Sequence, residues 1–315
     1  MGFNENGKWD KPIQNTYKNR ERENNRENNK ERNVRRRETT FADGNAENTL
    51  PEGLVIGRNA VRELLRSGRP IDKLLVRRGE REGSIVVITA EAMARGIPVI
   101  EVEKQKLARL SGFAPHQGVV AMAAEKEYCT VEDILKIAEE RGEAPLLVIS
   151  DGITDPYNLG SLIRCAEGVG AHGLIIPKRR ASGLTPLVSK ASAGAIEHLA
   201  IAKVTNIAAT VEALKEKGVW VYAAEAGGEN CYRTDFSGPC ALVFGSEGDG
   251  VSKLVKERCD ATVSIPMYGK VNSFNVSTAA AVLLCQAKKC QVERALAKSS
   301  SEATATATAT GTVKS

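Results

Sequence analysis

Five polar side chains and a short apolar set mark where this sequence could do chemistry. Asn158 and Arg164 follow the apolar run 146–149 in SDGITDPYNLGSLIRCAEGVG, and Glu247 sits among three glycines in GSEGDG, after the run 241–244. Ser273 and Asn275 crowd the start of a long apolar helix in IPMYGKVNSFNVSTAAAVLL, where Ile265, Met267 and Phe274 add an apolar wall. Amides, a hydroxyl, a carboxylate and a guanidinium can orient a polar ligand and answer charge as it develops. These loops place no His, Cys or Lys as a nucleophile and set up no acid pair, which argues against covalent catalysis and metal-assisted hydrolysis. The glycine loop is neither a Walker loop, which needs Gly-Lys-Ser/Thr, nor a GxGxxG dinucleotide fingerprint. Its glycines do let backbone approach a ligand closely.

All three loops follow strand-like runs. Strands are expected at 146–149, 173–176, 199–203, 219–223, 241–244 and 261–265, with helices at 158–168, 188–194, 206–217, 252–259 and 275–295. That alternation predicts an α/β fold with a parallel sheet covered on both faces, and ligands bind such sheets outside the carboxyl ends of the strands. Asn158 is placed to cap the first of these helices, whose buried stripe is Leu162, Ile163, Ala166 and Val169. Arg164 lies near a helix start, where the macrodipole disfavours a cation, so a compensating partner is expected; the plainer alternative is a surface arginine. Asn272, Ser273, Asn275 and Ser277 can cap the last helix or hold a polar ligand.

Upstream, residues 52–125 read as a smaller α/β sandwich. A helix carries Val61, Leu64 and Leu65 on one face, and strands at 73–76, 98–102 and 119–123 alternate with helices at 84–94 and 104–110. Arg62, Arg66, Arg69, Arg77, Arg78 and Arg81 make its first half basic, to meet phosphate or to solvate a surface. His116-Gln117 stands before the last strand, either as a satisfied turn or as a functional pair. An acidic, partly helical connector, 126–144, leads to the larger domain at 145–296.

Composition bounds the rest. With 315 residues, 42% of them hydrophobic, the chain can build two cores. No run approaches the roughly 18 apolar residues of a membrane helix, and the polar N-terminus does not resemble a signal peptide, so a cytoplasmic protein is expected. Seven Cys at irregular spacings, without CxxC, and three His suggest reduced thiols, with neither a zinc cluster nor a disulfide framework. Of the net charge of +5, residues 1–40 supply most, with eleven Lys/Arg against seven Asp/Glu. Segment 1–48 has too few large apolar residues to offset its ordering entropy and is expected to be disordered, as is the low-complexity Ala-Thr tail, 297–315. Arg35-Arg36-Arg37 could add salt-dependent affinity for RNA or simply be solvated.

In order and spacing, DPYNLGSLIRCAE, VFGSEGDG and IPMYGKVNSFNVSTAAAVLL resemble the three motifs of the SpoU family, RNA 2'-O-ribose methyltransferases of the SPOUT superfamily. The upstream unit, with His116-Gln117-Gly118, is similar to that family's ribosomal-protein-like RNA-binding domain. The resemblance implies a deep trefoil knot, S-adenosylmethionine as cofactor, no metal, and a homodimer in which both protomers build each site. It implies that Gly245, Ile265, Met267, Phe274 and Asn275 hold the cofactor, and that Asn158, Arg164, Glu247, Ser273 and Asn275 form the catalytic set. The implied substrate is a guanosine of 23S rRNA, with a tRNA ribose as the alternative; a non-catalytic RNA-binding scaffold of the same fold is a third reading. The family proposal makes Arg164 the base, whereas guanidinium chemistry favours stabilising an alkoxide or clamping a phosphate. Phe274 departs from the usual Leu, and the Asn/Arg-rich N-terminal tail has no family counterpart.

Overall fold

The structure, a computed structural model, describes residues 50–311; the N-terminal segment 1–48, expected to be disordered, lies outside the described residues. Two sheets organise the chain. The first contains β1 (Leu54–Ile56), β2 (Ile71–Arg77), β3 (Val99–Val102) and β4 (Val119–Ala123), with α1 (Arg58–Ser67), α2 (Ser84–Ala94) and α3 (Lys104–Leu110) between them. Its order is β1-β4-β2-β3, antiparallel except for the β2–β3 pair.

Residue alternation splits this sheet into two apolar faces. Val55, Leu74, Val76, Val119 and Ala121 pack with Val61, Leu64 and Leu65 of α1 and Ile85 and Ile88 of α2. On the other side Leu54, Ile56, Leu75 and Val120 meet Leu107 of α3. The expected sandwich is therefore present, with β1 as a short edge strand that the sequence pattern did not single out.

The larger sheet has the order β10-β8-β9-β5-β6-β7, and every pairing is parallel. Its strands are β5 (Leu146–Asp151), β6 (Gly173–Pro177), β7 (Ala200–Val204), β8 (Trp220–Asn230), β9 (Cys240–Gly245) and β10 (Ala261–Ser264). Its helices are α4 (Val131–Arg141), α5 (Pro156–Gly168), α6 (Pro186–Ala191), α7 (Ile207–Glu216), α8 (Lys253–Arg258) and α9 (Val276–Gly311). Leu159, Leu162 and Ile163 of α5 and Leu283 and Leu284 of α9 cover one face, while Ile134, Val211, Leu214 and Val255 cover the other. From β5 the chain steps outward through β6 to β7 and then crosses to the opposite side of β5, where β8, β9 and β10 lie, and the crevice at such a reversal is where α/β sheets bind ligands.

Two local expectations change. Helix α5 starts at Pro156 with Asp155 as its cap, Asp155 accepting a hydrogen bond from the Asn158 N–H at 2.9 Å. The carboxamide of Asn158, expected to cap, does not cap this helix and bonds elsewhere. Helix α9 is described as far as Gly311, into the segment 297–315 expected to be disordered, where alanine gives up no side-chain entropy on joining a helix; residues 312–315 lie outside the described residues.

The small sheet docks on the large one through a buried ion pair. Arg69 meets Glu197 at 2.8 Å with side chains 13% and 1% exposed, and Lys126 Nζ donates to the Glu197 carbonyl at 3.2 Å. Burial pushes Glu197 up and Arg69 down from their ordinary values, each against its charged form. His198 lies 2.9 Å from Glu63 of α1, and a Cβ at Gly194 would sit 2.6 Å from Glu63 Cβ, so the contact is close-packed.

Candidate active site

Three loops leave the carboxyl ends of β5, β9 and β10, and their side chains join in one hydrogen-bonded chain. Asn158 Nδ2 donates to Glu247 Oε2 at 2.9 Å, and Asn275 Nδ2 donates to Asn158 Oδ1 at 3.1 Å. Asn275 Oδ1 in turn accepts from the Ser277 N–H at 3.0 Å and from Ser277 Oγ at 2.7 Å, capping α9. An ionised carboxylate only accepts, so Glu247 dictates which end of the Asn158 amide faces it. That choice leaves the amide oxygen for Asn275.

The glycine loop is held as tightly. Ser246 and Gly250 exchange backbone hydrogen bonds at 3.1 Å in each direction, so the loop folds back on itself. A Cβ at Gly245 would lie 1.9 Å from the Gly250 carbonyl carbon, so only glycine fits there. Gly248 and Gly250 have φ of +116° and +67°, conformations side chains disfavour. Glu225 holds the far end, accepting from the Val251 N–H at 2.9 Å and pairing with Lys256. Asp151 Oδ2 accepts from the Ser252 N–H at 2.7 Å, tying the loop to the end of β5.

Beside this chain opens a cavity of about 640 Å³. Buried Phe244, Val263 and Leu283 contribute its apolar wall. Gly245, Glu247, Ile265, Met267, Ser273, Phe274 and Asn275, all singled out from the sequence, line it. Asn158 is not on the lining but bonds to two residues that are. Arg164 stands apart: it is exposed on α5 and forms no hydrogen bond or ion pair among the described residues, so the compensating partner expected for it is not there. Glu225 was missed by sequence reasoning, yet it lines the cavity. The available signal was a lone acid directly after the apolar run of β8.

The thiol nearest in sequence, Cys165, has Sγ 3.5 Å from the Ser277 carbonyl oxygen and is pushed up by burial, which makes it a poor nucleophile. All seven cysteines are free thiols. Among the described residues no His, Cys, Asp and Glu cluster could hold a metal ion, and no helix is long and apolar enough to cross a membrane.

Comparison with known proteins adds a family context to this geometry. The profile of the SpoU rRNA Methylase family matches residues 145–285, and that of the RNA 2'-O ribose methyltransferase substrate-binding domain matches residues 54–129. A Bacillus subtilis protein named as a TrmH family tRNA/rRNA methyltransferase, YacO, is 47% identical over 231 residues, covering 73% of this chain and 92% of its own. A Staphylococcus aureus protein of the same family name is 44% identical over 238 residues, covering 75% and 95%. Among solved structures, the SpoU methyltransferase AviRb from Streptomyces viridochromogenes in complex with AdoMet aligns with a TM-score of 0.62 at 27% identity, over 76% of this chain and 90% of its own. An AdoMet-bound rRNA methyltransferase from Sinorhizobium meliloti aligns with a TM-score of 0.61 at 25% identity, over 75% and 86%.

Proposed function

The chain belongs to the SpoU family of RNA methyltransferases, and from that premise we propose that it methylates a ribose 2'-hydroxyl, on a guanosine of 23S rRNA, with S-adenosylmethionine as donor. The observation that carries this reading is the hydrogen-bonded run from Glu247 through Asn158 to Asn275 beside the cavity. The AdoMet complexes of AviRb and of the Sinorhizobium meliloti enzyme support the donor, and the rRNA methylase family and the Sinorhizobium meliloti rRNA methyltransferase support the substrate class.

The cavity suits the donor. Its volume falls in the range of small-molecule sites, roughly 300–1,000 Å³, and its wall combines apolar Ile265, Met267 and Phe274 with acidic Glu225, Glu247 and Asp249, a setting compatible with a cationic ligand. Gly245, Ile265, Met267, Phe274 and Asn275 would hold it. When bound, it supplies an electrophilic methyl group on a positively charged sulfur.

The protein's share is positioning. Aligning a hydroxyl for attack can contribute about 7–11 kcal/mol of barrier reduction. Glu247 fixes the Asn158 amide, Asn158 and Asn275 lock the loops together, and Ser273 faces the same cavity. Arg164 stabilises the negative charge that builds on the ribose oxygen as its proton passes to water, or clamps the adjacent phosphate. Among the described residues Arg164 forms no hydrogen bond or ion pair and is absent from the lining of its own cavity, which supports a homodimer in which one protomer completes the other's site. Exposed Val292 and Leu296 on α9 offer apolar surface for that contact. The reading includes a trefoil knot, supported by a chain that leaves β9, crosses beyond β8 to β10, then returns so that Asn275 reaches Asn158. It also places the enzyme with ribosomal RNA in the cytoplasm.

Two measurements test it. Calorimetric titration should show binding of S-adenosylmethionine, and ribose-methylation mapping of total RNA from a deletion strain should lack one mark in 23S rRNA. A mark lost from tRNA would move the substrate; an unchanged map would overturn the reading.

A further inference from the structure

A second cleft, of about 590 Å³, opens in the small α/β unit, far along the sequence from the methyl-transfer loops. Arg58, Arg77, Lys104, Phe113, His116 and Gln117 are among its lining residues. We propose that it binds one unpaired nucleotide of the RNA substrate, the base stacking on Phe113 and the phosphate meeting Arg77 and Lys104. The proposal rests on the RNA-methyltransferase reading and gives its substrate-binding unit a specific contact.

The turn that forms this cleft is built rather than incidental. Gln117 Oε1 accepts from the Arg58 N–H at 3.0 Å, at the start of α1, and the Gln117 carbonyl accepts from Arg58 Nε at 2.9 Å. His116 Nδ1 accepts from the Gly118 N–H at 3.0 Å, which leaves Nε2–H as a donor for a ligand. Burial, together with Lys104, Arg77 and Lys190, holds this imidazole below its ordinary value, hence neutral near pH 7. Glu80 answers Arg58 and Arg77, at 2.9 and 3.3 Å. Lys104 has no carboxylate partner among the described residues, so the cleft keeps positive charge for an anion.

Phe113 ends the turn that closes α3, its N–H donating to the Ala108 carbonyl at 2.7 Å, but no part of the fold covers its ring. It is 76% exposed, and its φ of +60° is the left-handed region that a bulky side chain avoids. Gln117 shares that conformation, at +53°. Such strain concentrates at ligand sites, and an exposed ring beside cations is the arrangement that captures unstacked bases. A duplex keeps its bases stacked and cannot use the ring.

The test uses the full chain and fluorescence anisotropy with a short fluorescein-labelled single-stranded RNA, the fully paired duplex of the same sequence, and poly-glutamate, all at matched salt. Phe113→Ala should weaken single-strand binding by ~5–100-fold and change duplex binding by less than about twofold, whereas Phe113→Trp should keep affinity. Lys104→Ala should weaken both RNAs and flatten their salt dependence. Unchanged single-strand affinity in Phe113→Ala, or an equal loss of poly-glutamate binding, overturns the proposal. Calorimetry with S-adenosylmethionine runs in parallel: failure of the wild type to bind it would remove the donor and leave the nucleotide site standing.

Discussion

Asn158 and Glu247 are 89 positions apart in the sequence and 2.9 Å apart in space. The bond spans the β9–β5 boundary of the sheet, where the two strands run side by side from Leu146–Cys240 to Asp151–Gly245. A buried parallel pair thus sets the spacing of two polar groups, half-buried Asn158 and exposed Glu247. Helix α9 then adds Asn275 from a third loop.

Asn158→Ala removes both bonds to its amide. Because both partners, Glu247 and Asn275, are exposed, stability should fall by no more than about 1 kcal/mol, while single-turnover methyl transfer should fall by ~100-fold. Asn158→Asp should lose at least as much, since it sets a carboxylate against Glu247. Turnover close to wild type in both variants would exclude this amide from the working site.

Arg164→Ala should cut methylation by at least ~100-fold with the donor dissociation constant nearly unchanged. With no hydrogen bond or ion pair to lose among the described residues, its melting temperature should hold. Mixing Arg164→Ala with Asn158→Ala protomers should restore part of the activity if sites are shared between subunits.

Gly245→Ala should collapse the glycine loop. The added Cβ overlaps Gly250 backbone, which cannot swing away as a side chain tip would. Overpacking of this kind costs about 1–3 kcal/mol, and donor binding by calorimetry should disappear. Gly168→Ala, where a Cβ meets nothing within 4 Å, serves as the neutral control.

Arg69→Ala strands Glu197 in a buried site, and should destabilise by about 3–5 kcal/mol in urea titration. Glu197→Gln keeps a polar partner and should cost less. In the double variant the penalties should fall well short of adding, because the second change removes the charge the first left unpaired.

His172 gives a pH dependence. Its Nδ1 accepts from the Leu146 N–H at 3.0 Å, and burial, aided by Arg141 and Lys288 and opposed by Glu143, holds it below its ordinary value of 6.5. The unfolded chain therefore binds the proton more readily than the folded one. Stability from this group is fully present above about pH 6.5 and is lost as pH falls through the lowered folded value. His172→Gln should flatten the urea midpoint between about pH 5 and pH 6.5; an unchanged slope would show that His172 does not set it.

Much of this was legible beforehand. The runs at 146–149 and 241–244 are apolar without alternation, which only a strand buried on both faces requires, and both became central parallel strands. Polar residues just beyond such runs fall at strand ends by necessity. Asp155 and Asn158 show the limit: both can cap a helix, and sequence spacing does not decide between them. The backbone chose Asp155 because Pro156 fits the first helical position, where no N–H is needed. Glu225 and Phe113 stayed hidden for a related reason. A single acid or ring has no periodicity to betray it, and its meaning comes from distant neighbours.

The amino-acid sequence by itself determined the alternation of strands and helices, the three polar loops and the residue types available for chemistry, because periodicity and turn chemistry are local properties. Only the tertiary structure decided which of those residues meet. Strand order in the large sheet, set by burial of apolar faces on both sides, brings Glu247 to Asn158 and Asn275 and leaves Arg164 facing outward.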